Sequence, residues 1–150
     1  MHHNHYGRLA VMAILSFVAM YVLMYAMVDR FENVFPNVNQ LYMAGLMTAP
    51  MVVIEILLMG MMYQNRTANL SIIAGAVVAG CAFFLLIRDQ TAVADRQFLK
   101  SMIPHHASAV LMCGKADIKD GEIKELCRTI IAGQSAEIAQ MKAKLATLAR

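Results

Sequence analysis

The chain has 150 residues, of which 59% are hydrophobic, with no tryptophan and a formal net charge of +3. That is not the composition of an average soluble domain, and the excess of apolar residues lies in the first ninety. After Ile87, ten Lys/Arg are interspersed with seven Asp/Glu along helical stretches, without an aromatic or glycine-rich nucleic-acid motif, so nucleic acid is not an expected partner. No nucleophile–base arrangement and no phosphate loop is present, and an enzyme is not expected.

The amino terminus carries His2, His3 and His5 before Tyr6 and Arg8. A histidine at position three can chelate a divalent ion together with a free terminal amine and two backbone nitrogens. The equal alternative is a short polar flank at headgroup level.

Three apolar runs follow, Leu9 to Val28, Leu41 to Tyr63 and Leu70 to Ile87. Each is long enough to cross a hydrocarbon core of about 30 Å as a helix. The first exceeds the usual apolar region of a signal peptide and lacks a small-residue cleavage pattern before Asp29, so it reads as a retained span. Tyr21, Tyr25, Tyr42 and Tyr63 fall in or near span ends, where amphipathic rings are enriched. Arg8 and Arg66 flank one side, Arg30 and Arg88 the other, and charge alone does not orient the chain.

In the second run Met43, Met47, Met51, Glu55 and Met59 recur at every fourth residue, forming one stripe on a helix. Met20, Met24 and Met27 give the first run a similar pattern. Methionine stripes are more often packing than pathway. Glu55 changes the balance, because a carboxylate near mid-span is costly and faces a partner, a cavity or water. Pro50 can loosen that helix and free a carbonyl. In the third run, Gly75 with Ala79 and Ala76 with Gly80 have the spacing that lets helix backbones approach closely, whereas Cys81 reads as a thiol without special chemistry.

From residue 89 onward the chain reads as a second, helical region. An apolar face runs through Phe98, Leu99, Met102, Ala109, Val110, Met112 and Cys113, interrupted at Pro104, which fits the first turn of a new helix or a kink. Within it, Met102-Ile103-Pro104-His105-His106 is a soft-metal donor set, since Met102 lies three and four residues from the two imidazoles. The bland reading is a helix start with capping histidines and a core methionine.

Asp117 to Gly121 reads as a turn, and a long helix starts near Glu122. Its inward line is Ile123, Cys127, Ile130, Gln134, Glu137, Met141, Leu145 and Leu148, with two polar residues where a purely structural helix would place Leu or Ile. Folding the hairpin about Asp120 sets Cys113 level with Cys127 and His106 level with Gln134, and brings Met102 near Glu137 and Ile138. Cys113 and Cys127 then either close a disulfide in an oxidising compartment or remain thiols, inert or ligating a soft metal.

The pattern of Asp95, Phe98, Leu99, Met102-Ile103-Pro104-His105-His106, Ala109, Met112, Ile130, Gln134, Glu137-Ile138 and Met141 resembles the domain-of-unknown-function (DUF) 305 family over roughly the last sixty residues. The three spans look like the extension of membrane-anchored members. The resemblance implies a ferritin-like helical bundle on the extracytoplasmic (periplasmic) side, associated in some members with copper or silver, with Met102, His105, His106, Gln134, Glu137 and Met141 as metal or structural-polar positions. A di-iron centre needs more carboxylates with Glu-x-x-His pairs than this region carries.

The expected architecture is all-α, with three transmembrane helices in residues 1–88 and a ferritin-like hairpin or bundle in 89–150. The expected function is soft-metal binding, Cu(I) before Ag(I), for buffering or handover to a metal-handling partner, with self-association. Two rivals stand beside it. One is transport through an oligomer lined by Met47, Met51 and Glu55, a local similarity to three-span copper channels; the other is a structural or interaction bundle without metal.

Overall fold

The three apolar runs are helices in the computed structural model, which describes residues 5–148. They are α1 (His5–Leu23), α2 (Val38–Leu58) and α3 (Arg66–Arg88), followed by α4 (Asp95–Lys115) and α5 (Gly121–Thr147). Short 3-10 turns at Met24–Met27 and Phe31–Asn33 join α1 to α2, and no strand occurs among the described residues. His5–Met27, Val38–Leu58 and Arg66–Arg88 are each long and apolar enough to cross a membrane. The second run ends as a helix at Leu58 rather than Tyr63, because Gly60 falls in a turn after it.

The chain divides into two compact units. The first comprises the chain up to Leu23 and Asn39–Thr91, hence α1, α2 and α3. Leu9, Ile56 and Tyr63 form its buried cluster, with Met12, Val52, Ile72 and Ile73 packed around them. The Asn65 side chain caps α3 by accepting from the Ala68 N–H at 3.0 Å. Close packing of α2 on α3 depends on Gly45, where a Cβ would run into the Phe83 ring. Gly80 serves the same pairing, since its Cβ would lie 3.3 Å from that of Ala49, whereas Gly75 faces open space. Of the two small-residue pairs in the third run, the one containing Gly80 is therefore used within the chain.

The second unit combines Met24–Val38 with the chain from Ala92 onward. Ile103, Ala107, Ile138 and Leu145 make its core, flanked by Leu99, Val110 and Met141 from the hairpin and by Val28 and Phe35 from the earlier segment. Polar groups fasten that segment. The buried Asn37 accepts from the Ser101 hydroxyl at 3.2 Å and donates to the Phe35 carbonyl at 3.0 Å, and Gln97 accepts from the Val38 N–H at 3.2 Å. Tyr25 donates to the Phe35 carbonyl at 2.8 Å, and Lys142 lies 3.8 Å from Glu32.

Pro104 corrects one expectation. It lies buried inside a single α4 rather than opening a new helix. Its missing N–H leaves the Lys100 carbonyl without the usual helical donor, but its ring takes a core position. The turn at 116–120 ends where expected, with Asp120 capping α5 by accepting from Ile123 N–H at 2.9 Å.

Candidate functional site

Antiparallel pairing of α4 and α5 follows from their two apolar faces, and the Cys113–Cys127 disulfide fixes the register near the turn, with Cα atoms 5.1 Å apart. Paired as a disulfide, the two sulfurs have no thiolate to offer, and Cys113 and Cys127 leave the metal-ligand set. Of the two chemistries open to them in sequence, the structure has the disulfide.

Two turns before Cys113, His106 reaches across the hairpin. Its Nε2 lies 2.8 Å from Glu137 Oε2, and its Nδ1 lies 3.0 Å from the Met102 carbonyl oxygen. A carbonyl can only accept, so Nδ1 carries the hydrogen and donates to it. Nε2 therefore faces the carboxylate oxygen across the hairpin. The His106 side chain is 12% exposed and that of Glu137 57%, which places the contact at the rim of the core.

The register differs from the level pairing of His106 with Gln134 by one helical turn, for a geometric reason. Side chains lean toward the amino end of their own helix, so His106 leans away from the turn and Glu137 leans back toward it. Short side chains such as Cys113 and Cys127 meet level, whereas long ones meet one turn farther along α5. The inward face of α5 is likewise rotated. Ile138 and Leu145 are buried, Ile123 and Leu148 are exposed, and Glu137 borders the seam instead of lying in it.

Around this contact, Gln134 is half-buried on the same face of α5, and its Oε1 is buried with no hydrogen-bond partner among the described residues. Met102 and Met141 are half-buried, Met141 against the Ile103 core. His105 is exposed, its ring centroid 6.0 Å from that of His106 at an interplanar angle of 61°. Adjacent residues on a helix do not share a face. The expected pair of imidazoles beside α5 is therefore one, His106, with His105 alongside. Among the described residues, no group of three or more His, Cys, Asp or Glu could hold a metal ion.

The methionine stripe is outward for much of its length, since Met43 and Met47 of α2 and Met59 just beyond it are exposed and Met51 is half-buried. Glu55 is not mid-span. It lies one turn from the end of α2, lining a cavity of about 190 Å³ with His5, Arg8, Leu9, Met12 and Tyr63, among others. The Tyr63 hydroxyl donates to its Oε1 at 3.5 Å. His2 and His3 lie outside the described residues, and His5 begins α1.

Sequence reasoning missed the joining of residues 24–38 to the second unit, the close approach at Gly45, and the grouping of His5, Arg8 and Glu55. Only the last had a signal in the sequence: Glu55 is a carboxylate within an apolar run, and Arg8 is a charge at the edge of another.

The family described as "Domain of unknown function (DUF305)" matches residues 39–145, taking in α2 and α3 as well as the hairpin, and so extends well beyond the last sixty residues. The chain is also 33% identical over 142 residues to "Uncharacterized protein L153" of Acanthamoeba polyphaga mimivirus, an alignment covering 90% of this chain and 89% of the relative. No solved structure matches. With most of its length inside the family match, this chain belongs to the DUF305 family.

Proposed function

We propose that this is a membrane-embedded protein that binds Cu(I), and more weakly Ag(I), at His106 to buffer the ion or pass it to a metal-handling partner. One observation carries the reading. His106 donates through Nδ1 to the Met102 carbonyl, an arrangement that fixes the ring and presents Nε2 as a ligand, and Glu137 lies beside that nitrogen. The unpartnered oxygen of Gln134 supplies a further acceptor, and the thioethers of Met102 and Met141 favour a soft monovalent ion. Such an ion would take His106 Nε2 as a ligand, with the Glu137 carboxylate beside it.

The disulfide favours an oxidising, extracytoplasmic compartment for the second unit. Three crossings would put residues 24–38 and the chain after α3 on the same side, which is compatible with those segments forming one unit. Phe98, Met112, Ile123 and Leu126 stay exposed on the hairpin, and a second copy covering them would complete a ferritin-like four-helix arrangement.

Anaerobic titration of the detergent-solubilised full chain with Cu(I), against a competing chelator, tests the reading. His106→Ala lowers affinity by about tenfold or more, and His105→Ala by less. Affinity unchanged in His106→Ala removes the site. A structural reading also has an observation behind it, because the His106–Glu137 contact bridges α4 and α5 without an ion. A chain purified from copper-supplemented cells that is folded but free of copper by elemental analysis would favour that reading.

A further inference from the structure

We infer that the cavity at the gathered ends of α1, α2 and α3 is a headgroup site for a zwitterionic amine phospholipid, Glu55 meeting the ammonium and Arg8, with His5 beside it, meeting the phosphate. The inference rests on reading the three helices as membrane spans. α1 begins at His5, α2 ends at Leu58 and α3 begins at Arg66, so the cavity of about 190 Å³ opens where apolar surface gives way to polar, the depth of lipid headgroups.

Its lining carries both signs of charge. A bare metal ion would be repelled by Arg8 and a free anion by Glu55, whereas a ligand with an ammonium and a phosphate a few bonds apart sets each of its charges beside the opposite sign. Leu9 and Met12 form the apolar base, and Val11, Leu15 and Val18 continue outward along α1 as a surface for an acyl chain.

The wall is held in place before any ligand arrives. Tyr63 is buried and donates to Glu55; its carbonyl accepts from Asn69 Nδ2 at 2.7 Å, and Asn69 Oδ1 accepts from the Tyr6 hydroxyl at 2.8 Å. The Tyr6 oxygen in turn accepts from the Asn65 N–H at 3.2 Å. A chain of polar contacts thus fixes the carboxylate end of the site, so little ordering is left to binding.

The test is titration of the full chain in mild detergent with water-soluble dihexanoyl phosphatidylethanolamine and with dihexanoyl phosphatidylglycerol, which keeps the phosphate and lacks the amine. Phosphatidylethanolamine binds about tenfold tighter, the worth of one charge-assisted hydrogen bond. Glu55→Gln brings it down to the phosphatidylglycerol level, and Arg8→Gln weakens both. Equal binding of the two lipids by the unaltered chain overturns the site without any variant, as does a preference that survives in Glu55→Gln. Alkaline carbonate treatment of membranes separates the two ways of failing. A chain that is released was not spanning, whereas one that stays and does not discriminate between lipids lacks only the headgroup site.

Discussion

His106 and Ile103 are three residues apart on α4, yet their replacement should cost very different amounts. Ile103 is fully buried in the core of the second unit, so Ile103→Ala lowers unfolding free energy by about 2–5 kcal/mol. Glu137 is more than half exposed, and Glu137→Gln should cost less than about 1 kcal/mol, because solvent screens an ion pair at the rim. Chemical denaturation of both variants checks the contrast. If the contact serves metal binding, Glu137→Gln lowers Cu(I) affinity by about 10–100-fold while barely moving the denaturation midpoint. Affinity for the ion also falls as pH falls, since a protonated imidazole has no lone pair to give at Nε2. The contact was half legible in the sequence. Residue types and the fold-back point were readable, but the partner of His106 was displaced from Gln134 to Glu137, because level counting ignores the lean of long side chains. His105 is exposed beside His106 for a similar reason, since neighbours in sequence on a helix point to different faces.

At the scale of elements, α4 and α5 are joined by a cross-link that closes a short loop around the turn. Restricting the unfolded chain in this way stabilises by about 3 kcal/mol for a loop of roughly 15 residues. A Cys113→Ser, Cys127→Ser double variant should therefore unfold at lower denaturant by that amount, with the helix content of the folded state kept. Packing of α2 on α3 makes a sharper demand. Gly45→Ala drives a methyl into the Phe83 ring, an overpacking that costs about 1–3 kcal/mol, whereas Gly75→Ala, with nothing near it, costs nothing comparable. Steric-trap or thermal unfolding in detergent separates the two. Helix existence was readable from the apolar runs, and the turn from Asp117 to Gly121 as well. The continuity of α4 was not, since Pro104 breaks local hydrogen bonding but its ring is accepted by the core. Gly45 carries no sequence signature of its own, because the need for it comes from Phe83 on another helix.

For the whole molecule, the cysteines offer a simple assay of compartment. Of the three, Cys81 is free and the other two are paired. Protein denatured directly from cells into alkylating reagent should gain one adduct, and after reduction three; three adducts without reductant would place the second unit in a reducing compartment. The three apolar helices and the all-helical class were evident from composition and spacing. How the chain partitions was not, because the segment between the first two apolar runs is a short stretch with Asp, Asn and Pro and no pattern that points to a distant partner. Its assignment depends on Val28 and Phe35 finding the Ile103 core, a contact separated by some seventy residues in sequence.

That arrangement bears on anyone wishing to work with a water-soluble fragment. Cutting at residue 89 would strip the lid from the hairpin, leaving Ile103 and Leu99 open on one flank and removing the Asn37 and Val38 bonds of Ser101 and Gln97. A fragment of this kind should aggregate or melt early, whereas supplying residues 24–38, tethered ahead of residue 92 by a flexible linker, should restore a sharp thermal transition. The second unit of this protein is written in two instalments, and only both together make a domain.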